Sequence, residues 1–337
     1  MLYIEYPSWI SPFVLPGLPI RWYGLMYLAA FATTYFLFVR QIKERKVPTD
    51  PDSVLNLFFW AIVGLLIGAR IFSALVYEPG GRFLARPWLI FWPFDENMTF
   101  TGLQGMSYHG GFLGALIAVV VYTRVKKIDT LEWGDMLATS IPLGFTFGRL
   151  GNFINGELYG RVTTAPWGMI FPNARRLPTS EPWVVEIAET VGIAIAANQQ
   201  SINLPRHPSQ LYQAFLEGIL LWAVMWFIFR KRSPFRGFMI SVYIMGYGIA
   251  RFIGEYFREP DAGLGFRITL SSTPNPPALF VSPWNFTTGQ ILSALMIFGG
   301  VACFFIFRHY DRRSPAVETF APVPPPKKKR RRKKLKR

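Results

Sequence analysis

Seven long apolar stretches constrain this chain more than any other feature of its sequence. They cover residues 22–39, 54–77, 108–123, 133–154, 208–229, 237–257 and 287–307. A helix needs roughly 20 mostly apolar residues to cross a membrane. None of the stretches has the polar face of a soluble amphipathic helix, and none alternates as barrel strands do. The sequence therefore predicts an all-α polytopic membrane protein with seven transmembrane helices.

Composition supports this class and narrows the partners. Hydrophobic residues make up 51% of the chain and charged residues 17%, whereas soluble domains average about 25% charged residues. A single cysteine in 337 residues excludes an internal disulfide and a thiolate metal site. The net charge of +16 suggests nucleic-acid binding, but ten of the eleven residues 327–337 are Lys or Arg. We therefore predict no nucleic-acid partner, and a disordered Pro-rich and polybasic tail over 315–337. That tail is either simply solvated or in contact with anionic lipid headgroups.

The distribution of basic residues predicts the orientation of the chain. One side of the membrane receives 24 Lys and Arg residues, including all eleven lysines, and the other side receives nine. Cytoplasmic connections carry the excess of basic residues, so the N-terminus is predicted outside and the C-terminus in the cytoplasm. The long connections 78–107, 155–207 and 258–286 then lie outside. Long loops usually exist for function, and we predict an extracytoplasmic head insertion over 155–207 in a membrane-embedded domain spanning 1–314.

Ionisable side chains inside membrane spans are costly and are functional candidates by default. The first is His109, at the outer end of the third stretch and followed by two glycines that allow close approach. A histidine that only packs between helices is an equally open interpretation.

A second polar cluster covers residues 148–161, with the sequence Gly-Arg-Leu-Gly-Asn-Phe-Ile-Asn-Gly-Glu-Leu-Tyr-Gly-Arg. Arg149 and Asn152 are three residues apart and share a helix face, and Glu157 follows where the helix ends. Arginine suits bidentate contact with phosphate. The alternative is an interfacial anchor whose charged ends reach the membrane surface.

The third cluster recurs every four residues in the sixth stretch and consists of Tyr243, Tyr247, Arg251 and Glu255. Arg251 and Glu255 are spaced to form an ion pair, which is either structural or part of a site.

Three further polar positions are open to structural interpretations. His207 directly precedes the fifth stretch, where we expect it to anchor the helix start. Glu217 lies deeper and needs a partner, for which Arg70 is one candidate by depth alone. We interpret that pair as structural. The structural interpretation of Tyr23 is an aromatic residue at the membrane interface.

The clusters gather arginines, carboxylates, amides and a histidine at the outer leaflet. Arginines beside lipid indicate a phospholipid headgroup, and a histidine indicates proton transfer near neutral pH. The sequence shows no metal-binding signature and no cofactor motif, so neither is predicted. A lipid or solute transporter and a receptor-like seven-span sensor are the alternatives.

Four motifs carry a resemblance to a known family. They are His109-Gly110-Gly111, the run from Gly148 to Glu157, His207-Pro-Ser-Gln-Leu-Tyr212 and Arg251-Phe-Ile-Gly-Glu255. In this order they resemble the phosphatidylglycerol–prolipoprotein diacylglyceryl transferases of bacterial inner membranes, over about residues 20–307. Three positions depart from the pattern, namely Tyr108, Tyr159 and Gln213.

The resemblance implies the activity. The diacylglyceryl group of phosphatidylglycerol passes to the thiol of a lipobox cysteine, which yields a thioether and glycerol 1-phosphate, in the first step of lipoprotein maturation. The implied partners are phosphatidylglycerol, membrane lipid and the signal peptide of a preprolipoprotein. The implied location is the bacterial inner membrane, with the active site toward the periplasm, and we expect a monomer.

The resemblance, read with the chemistry of each side chain, also gives the expected site. The catalytic residues are His109 as base, with Arg149 and Arg251 on the leaving phosphate. The residues expected to bind phosphatidylglycerol are Tyr23, Arg149, Asn152, Glu157, Gly160, Tyr247, Arg251 and Glu255.

Overall fold

The fold is known from a computed structural model, which describes residues 3–15, 17–18, 20–78, 81–94, 97–100, 102, 105–260, 265–271 and 278–313. The tail predicted over 315–337 lies outside the described residues. The described chain is mostly helical. Its eight principal helices are α1 (Trp22–Arg45), α2 (Pro51–Tyr77), α3 (Tyr108–Val125), α4 (Thr130–Ile154), α5 (Pro182–Val191), α6 (Ser209–Arg232), α7 (Phe238–Glu255) and α8 (Thr288–Arg313).

Short strands and turns lie before and between the helices. The strands are β1 (Ile4–Glu5), β2 (Met169–Ile170), β3 (Leu177–Pro178), β4 (Ser201–Ile202), β5 (Phe266–Thr269) and β6 (Asn285–Thr287). β1 pairs with β2 in parallel, while β3 with β4 and β5 with β6 form antiparallel pairs. A four-residue helix, Arg82–Ala85, and a 3-10 turn, Pro87–Phe91, follow α2.

Five of the helices, α1, α2, α3, α6 and α8, are long and apolar enough to cross a membrane. They coincide with five of the seven apolar stretches. The other two stretches are also helical and form α4 and α7. These two helices carry polar groups that are buried against neighbours, among them Asp135 and Thr139 in α4 and Glu255 in α7.

The helices α2 and α3 meet along a seam of glycines. A methyl group at Gly68 would lie 2.3 Å from the carbonyl oxygen of Gly110, and one at Gly114 would lie 2.1 Å from that of Gly64. Glycine spaced four residues apart on both helices lets the two backbones touch. The seam fixes the start of α3 beside the end of α2, where His109 and Tyr77 meet.

A buried cluster joins the first four long helices where α1 ends and α2 and α4 begin. Its members include Phe38, Leu57, Tyr122, Trp133 and Met136. The rings of Phe38 and Trp133 pack edge to face, with centroids 5.4 Å apart. This apolar core lies at the opposite end of α4 from Arg149.

The segment between α4 and α6 has a core of its own. Val162, Leu177, Val184, Ile202 and Leu204 are all buried in one cluster.

Two buried arginines tie this segment to the chain that follows α7. Arg206 is completely buried, pairs with Glu259 at 2.5 Å and lies over the Tyr159 ring. Arg161 donates to the carbonyl oxygens of Arg258 and Leu279. Burial lowers the pKa of Arg161 to about 10, and burial also lowers the pKa of Arg206.

Candidate active site

Two arginines from different helices share one carboxylate. Arg149 near the end of α4 approaches Glu217 with Nη2 3.8 Å from Oε2, and Arg251 in α7 approaches it with Nη1 3.6 Å from Oε1. Glu217 is completely buried, whereas each arginine side chain keeps 15% of its surface exposed. Each carboxylate oxygen therefore faces a different guanidinium.

The position of Glu217 follows from the irregular path of α6. Residues Ala214–Leu220 form a π-helical segment, a feature frequent at functional sites. Gly218 in that segment lets α6 approach α4, since a methyl group there would lie 2.1 Å from the hydroxyl of Thr146. α6 therefore packs against α4 and α7.

The hypothesis that Glu217 pairs with Arg70 was wrong. Arg70 donates instead to the carbonyl oxygens of Ile90 and Gly105. The reason is that α2, which carries Arg70, packs on α3 and not on α6. Depth along the membrane does not report which helices are neighbours.

Arg251 is also held by Glu255, with Nη2 2.7 Å from Oε2, which confirms the ion pair predicted from their spacing. Glu255 in turn accepts a hydrogen bond from the Thr287 hydroxyl at 3.1 Å and lies 3.8 Å from Arg258. The carboxylate packs on Gly289, where a methyl group would lie 2.6 Å from Oε1. The start of α8 therefore fixes the orientation of Glu255.

A chain of polar contacts continues from Arg149 toward the end of α4. Arg149 lies 3.5 Å from the amide oxygen of Asn152, as their shared helix face predicted, and Asn152 donates to Glu157 at 2.9 Å. Asn155 approaches the same carboxylate oxygen at 3.4 Å. Glu157 is thus held by two amides, and it restrains Asn152 beside the arginine.

The turn that carries Glu157 is pinned to the start of α6. Leu158 has a left-handed backbone with φ of 53°, which is costly for a residue with a branched side chain. Gln210 donates to the carbonyl oxygen of Glu157 at 2.7 Å, and Ser209 donates to that of Leu158 at 3.1 Å. Both of these α6 side chains are completely buried. The sequence analysis identified the motif that contains Ser209 and Gln210, but it did not predict that these two side chains position the turn.

Gly160 lies at a backbone crossing beside this turn. A methyl group at Gly160 would lie 2.3 Å from the carbonyl oxygen of Phe257 and 2.6 Å from that of His207. Its N–H donates to His207 at 2.8 Å. Gly160 therefore allows two segments to pass closely.

Aromatic side chains line the approach to the arginines. The guanidinium of Arg149 lies over the Phe145 ring at 4.8 Å, and Phe145 packs edge to face on Tyr247. Tyr23 contacts Tyr27 through their hydroxyl groups, 3.2 Å apart. Tyr247 also packs on Tyr243, with ring centroids 5.9 Å apart.

His109 belongs to a separate group on the α2–α3 pair. Its Nδ1 lies 3.3 Å from the Tyr77 hydroxyl, which also receives a contact from Ser107 at 3.5 Å. Its described contacts are with this group and not with the arginines. The ring of the neighbouring Tyr108 packs edge to face on His109, with centroids 5.9 Å apart.

His207 is held outside the membrane segments, before the start of α6. Its Nδ1 lies 3.2 Å from the Tyr212 hydroxyl, which accepts a hydrogen bond from Trp167 at 2.7 Å. Burial and the nearby charge of Arg161 lower the pKa of His207 to about 4. The ring is therefore neutral at physiological pH, consistent with an anchor at the start of α6.

The arrangement is chemically suited to an anion. Arg149 Nε and Arg251 Nη1 are buried atoms without a hydrogen-bond partner among the described residues. Unpaired buried donors are uncommon and ask for an explanation. Two neighbouring guanidinium groups that keep unused donor atoms have the chemistry that suits an anion such as a phosphate group.

Comparison with known proteins decides the family. A profile of the family described as prolipoprotein diacylglyceryl transferase matches residues 12–306. The chain belongs to this family. It is therefore a transferase.

Several curated relatives carry the name phosphatidylglycerol–prolipoprotein diacylglyceryl transferase. The relative from Treponema denticola is 50% identical over 93% of this chain and 97% of its own length. The one from Treponema pallidum is 46% identical over 93% of this chain and 98% of its own length. The one from Chlorobaculum tepidum is 42% identical over 88% of this chain and 89% of its own length. The similarity spans nearly the whole transferase, and it leaves no support for the transporter and sensor alternatives.

The structure of the transferase brings most of the expected residues together. Arg149, Arg251, Asn152, Glu157 and Glu255 form one connected network around Glu217. Tyr23 and Tyr247 belong to the aromatic side chains near this network, and Gly160 lies beside the turn that carries Glu157. His109 belongs to a separate group on α3. The central residue, Glu217, was assigned to another partner because sequence spacing does not reveal contacts between helices.

Proposed function

We propose that this chain transfers the diacylglyceryl group of phosphatidylglycerol to the lipobox cysteine of a preprolipoprotein. The products are a thioether-linked lipoprotein precursor and glycerol 1-phosphate. The observation that carries the proposal is the pair Arg149 and Arg251, joined by Glu217 and each with an unused donor atom. The names of the relatives supply the lipid and the protein substrate.

The two arginines act on the phosphate. In the reaction the sulfur of the substrate cysteine bonds to the glyceryl carbon that bears the phosphate, and the bond between that carbon and the phosphate oxygen breaks. The electron pair of the broken bond leaves with the phosphate oxygen. Negative charge therefore grows on the phosphate, and donors already aimed at it lower the barrier.

His109 accepts the proton of the substrate thiol in this proposal. A cysteine thiol has a pKa near 8.5, so it is mostly protonated at neutral pH and gains from a base. For Nε2 to be that base, Nδ1 must carry the other proton and donate it to the Tyr77 hydroxyl, 3.3 Å away. Tyr77 would thus fix the tautomer. The substrate thiol would enter between α3 and the arginine network.

The remaining expected residues hold the headgroup. Asn152, restrained by Glu157, and the aromatic pair Tyr23 and Tyr247 would orient the lipid beside Arg149. Glu255 would keep Arg251 in place. Gly160 would contribute by letting the turn at Glu157 pass close to His207. We propose that the active form is a monomer.

We further propose seven membrane crossings, with α4 and α7 added to the five apolar helices. The excess of basic residues on one side puts the N-terminus outside and the C-terminus in the cytoplasm of a bacterial inner membrane. The arginine network then lies toward the periplasm. Residues 155–207 form the head insertion of a catalytic domain over 1–314.

Release of glycerol phosphate tests the reaction. Purified protein with phosphatidylglycerol and a lipobox peptide is expected to release glycerol phosphate in equal amount to the peptide modified. A peptide with serine in place of cysteine is the control and should give no release above background. Equal release with both peptides would show hydrolysis of the lipid by water, a phospholipase activity, and contradict the transferase proposal.

A further inference from the structure

Glu217 has a charge that the phosphate-binding role of its neighbours does not require. It is completely buried, and its two carboxylate oxygens lack any hydrogen-bond partner among the described residues. The arginine nitrogens lie 3.6 and 3.8 Å away, beyond ordinary hydrogen-bond distance. The carboxylate therefore neutralises charge without forming a hydrogen bond to Arg149 Nε or Arg251 Nη1.

The charges around Glu217 can be counted from the contacts. Arg149, Glu217 and Arg251 together carry a net charge of +1. Glu255 contacts both Arg251, at 2.7 Å, and Arg258, at 3.8 Å, so Glu255 and Arg258 together add no net charge. Glu157 adds one negative charge on the far side of Asn152, where neutral amide groups hold it. Tyr243 and Tyr247 are uncharged titratable groups near Glu217.

The substrate and the product differ in charge. A phosphodiester carries one negative charge, whereas a phosphate monoester loses a second proton near pH 6. A site with a net charge of +1 matches the diester. The second charge of the monoester is repelled by the carboxylate between the arginines.

We propose that Glu217 sets the charge selectivity of the site, so that it holds a phosphodiester and releases a dianionic phosphate monoester. This inference rests on the proposed function, because the monoester is the product of that reaction. Glu217 is a specificity-determining residue in this account. The negative charge of Glu217 lowers the stabilisation of the leaving phosphate, and it favours release of the product.

Binding of two water-soluble probes tests the proposal without turnover. Glycerol 1-phosphate is the monoester and bis(glycerol) phosphate is the diester, and their affinities for the detergent-solubilised full chain are measured by 31P NMR titration at pH 5.5 and 7.5. We expect the wild type to bind the diester equally at both pH values. Its affinity for the monoester should be at least 5-fold weaker at pH 7.5 than at pH 5.5.

The variant Glu217→Gln keeps the shape and removes the charge. We expect it to bind glycerol 1-phosphate at pH 7.5 at least 10-fold more tightly than the wild type, with no weakening from pH 5.5 to 7.5. Glu189→Gln, the same change on an exposed face of α5, is the matched control and should behave as wild type.

Three results would overturn the proposal. They are equal monoester-to-diester ratios in wild type and Glu217→Gln, no binding by either protein, and a wild type that prefers the monoester at pH 7.5. The last result needs no variant and decides the matter if Glu217→Gln fails to fold. A protein that shows this selectivity and lacks transfer activity would refute the proposed function alone.

Discussion

Glu255 holds Arg251 by an ion pair of 2.7 Å, and its carboxylate rests against the bare backbone of Gly289 at the start of α8. Thr287 forms a capping box with Gln290, each side chain accepting from the backbone N–H of the other. The same Thr287 hydroxyl donates to Glu255. The first turn of α8 therefore determines where Arg251 lies, although α8 contributes no charged residue to the site.

Gly289→Ala is predicted to reduce activity because the new methyl group would displace the Glu255 carboxylate. We expect kcat/KM to fall at least 10-fold while the melting temperature changes by no more than a few degrees. Gly299→Ala, on the same helix with open space around it, is the control. Similar kinetics for the two variants would show that Glu255 does not depend on this contact.

Replacing Arg149 or Arg251 with lysine is predicted to slow turnover strongly. Lysine keeps the charge but loses the planar donor pair that matches a phosphate group. Loss of one such transition-state contact commonly costs about 2.7–4 kcal/mol, or 10²–10³ in rate. Steady-state kinetics of Arg149→Lys and Arg251→Lys would measure this, with Arg176→Lys as the control on the exposed head surface. Activity within threefold of wild type would exclude a role in stabilising the leaving phosphate.

The base role of His109 is tested by the dependence of rate on pH. His109→Gln should lower kcat at neutral pH. The kcat of this variant should recover partly as the pH rises toward the pKa of the substrate thiol, since more thiolate is then present. Tyr77→Phe should cause a smaller loss with the same pH trend, because it removes the partner of Nδ1. Near-normal turnover of His109→Gln at all pH values would refute the base role.

The glycine seam between α2 and α3 is predicted to be a packing requirement. Gly110→Ala would place a methyl group 2.3 Å from Phe72 Cβ and 2.4 Å from the Gly68 carbonyl oxygen, whereas Gly111→Ala would meet neighbours at 3.4 Å. Overpacking of this kind typically costs about 1–3 kcal/mol. We expect a lower melting temperature for Gly110→Ala and little change for Gly111→Ala. Equal stabilities would mean that the two helices separate freely.

His207 is predicted to make stability depend on pH. Its pKa is lowered to about 4 in the folded chain, against about 6.5 for an unperturbed histidine. The folded state therefore favours the neutral ring, and the stability it confers is present above pH 6.5 and is lost as the pH falls toward 4.

The size of this effect follows from the shift and from partial exposure of the ring. We expect a loss of about 1–2 kcal/mol between pH 6.5 and 4. Melting curves across this range should show a smaller loss for His207→Gln than for wild type. Parallel curves for the two proteins would contradict the lowered pKa.

Much of the fold was predictable because local sequence determines apolar helices. All seven predicted stretches are helical, and five are apolar enough to cross a membrane. Pairs on one helix, such as Arg251 with Glu255, were confirmed because helical spacing places them together.

Contacts between helices were not predictable in this way. The partner of Glu217 depends on how α6 packs against α4 and α7, and a π-helical segment displaces its side chains from ideal helical positions. Likewise, no periodic pattern in the sequence indicates that Thr287 and Gly289 orient Glu255. Such contacts depend on the tertiary arrangement alone.

The central claim is most directly tested by mass spectrometry of a lipobox peptide incubated with the detergent-solubilised protein and phosphatidylglycerol. The account predicts a mass gain of one diacylglyceryl group on the cysteine, absent when serine replaces it and much reduced with Arg251→Lys. No mass gain from folded protein, under conditions in which a known transferase modifies the same peptide, would contradict it.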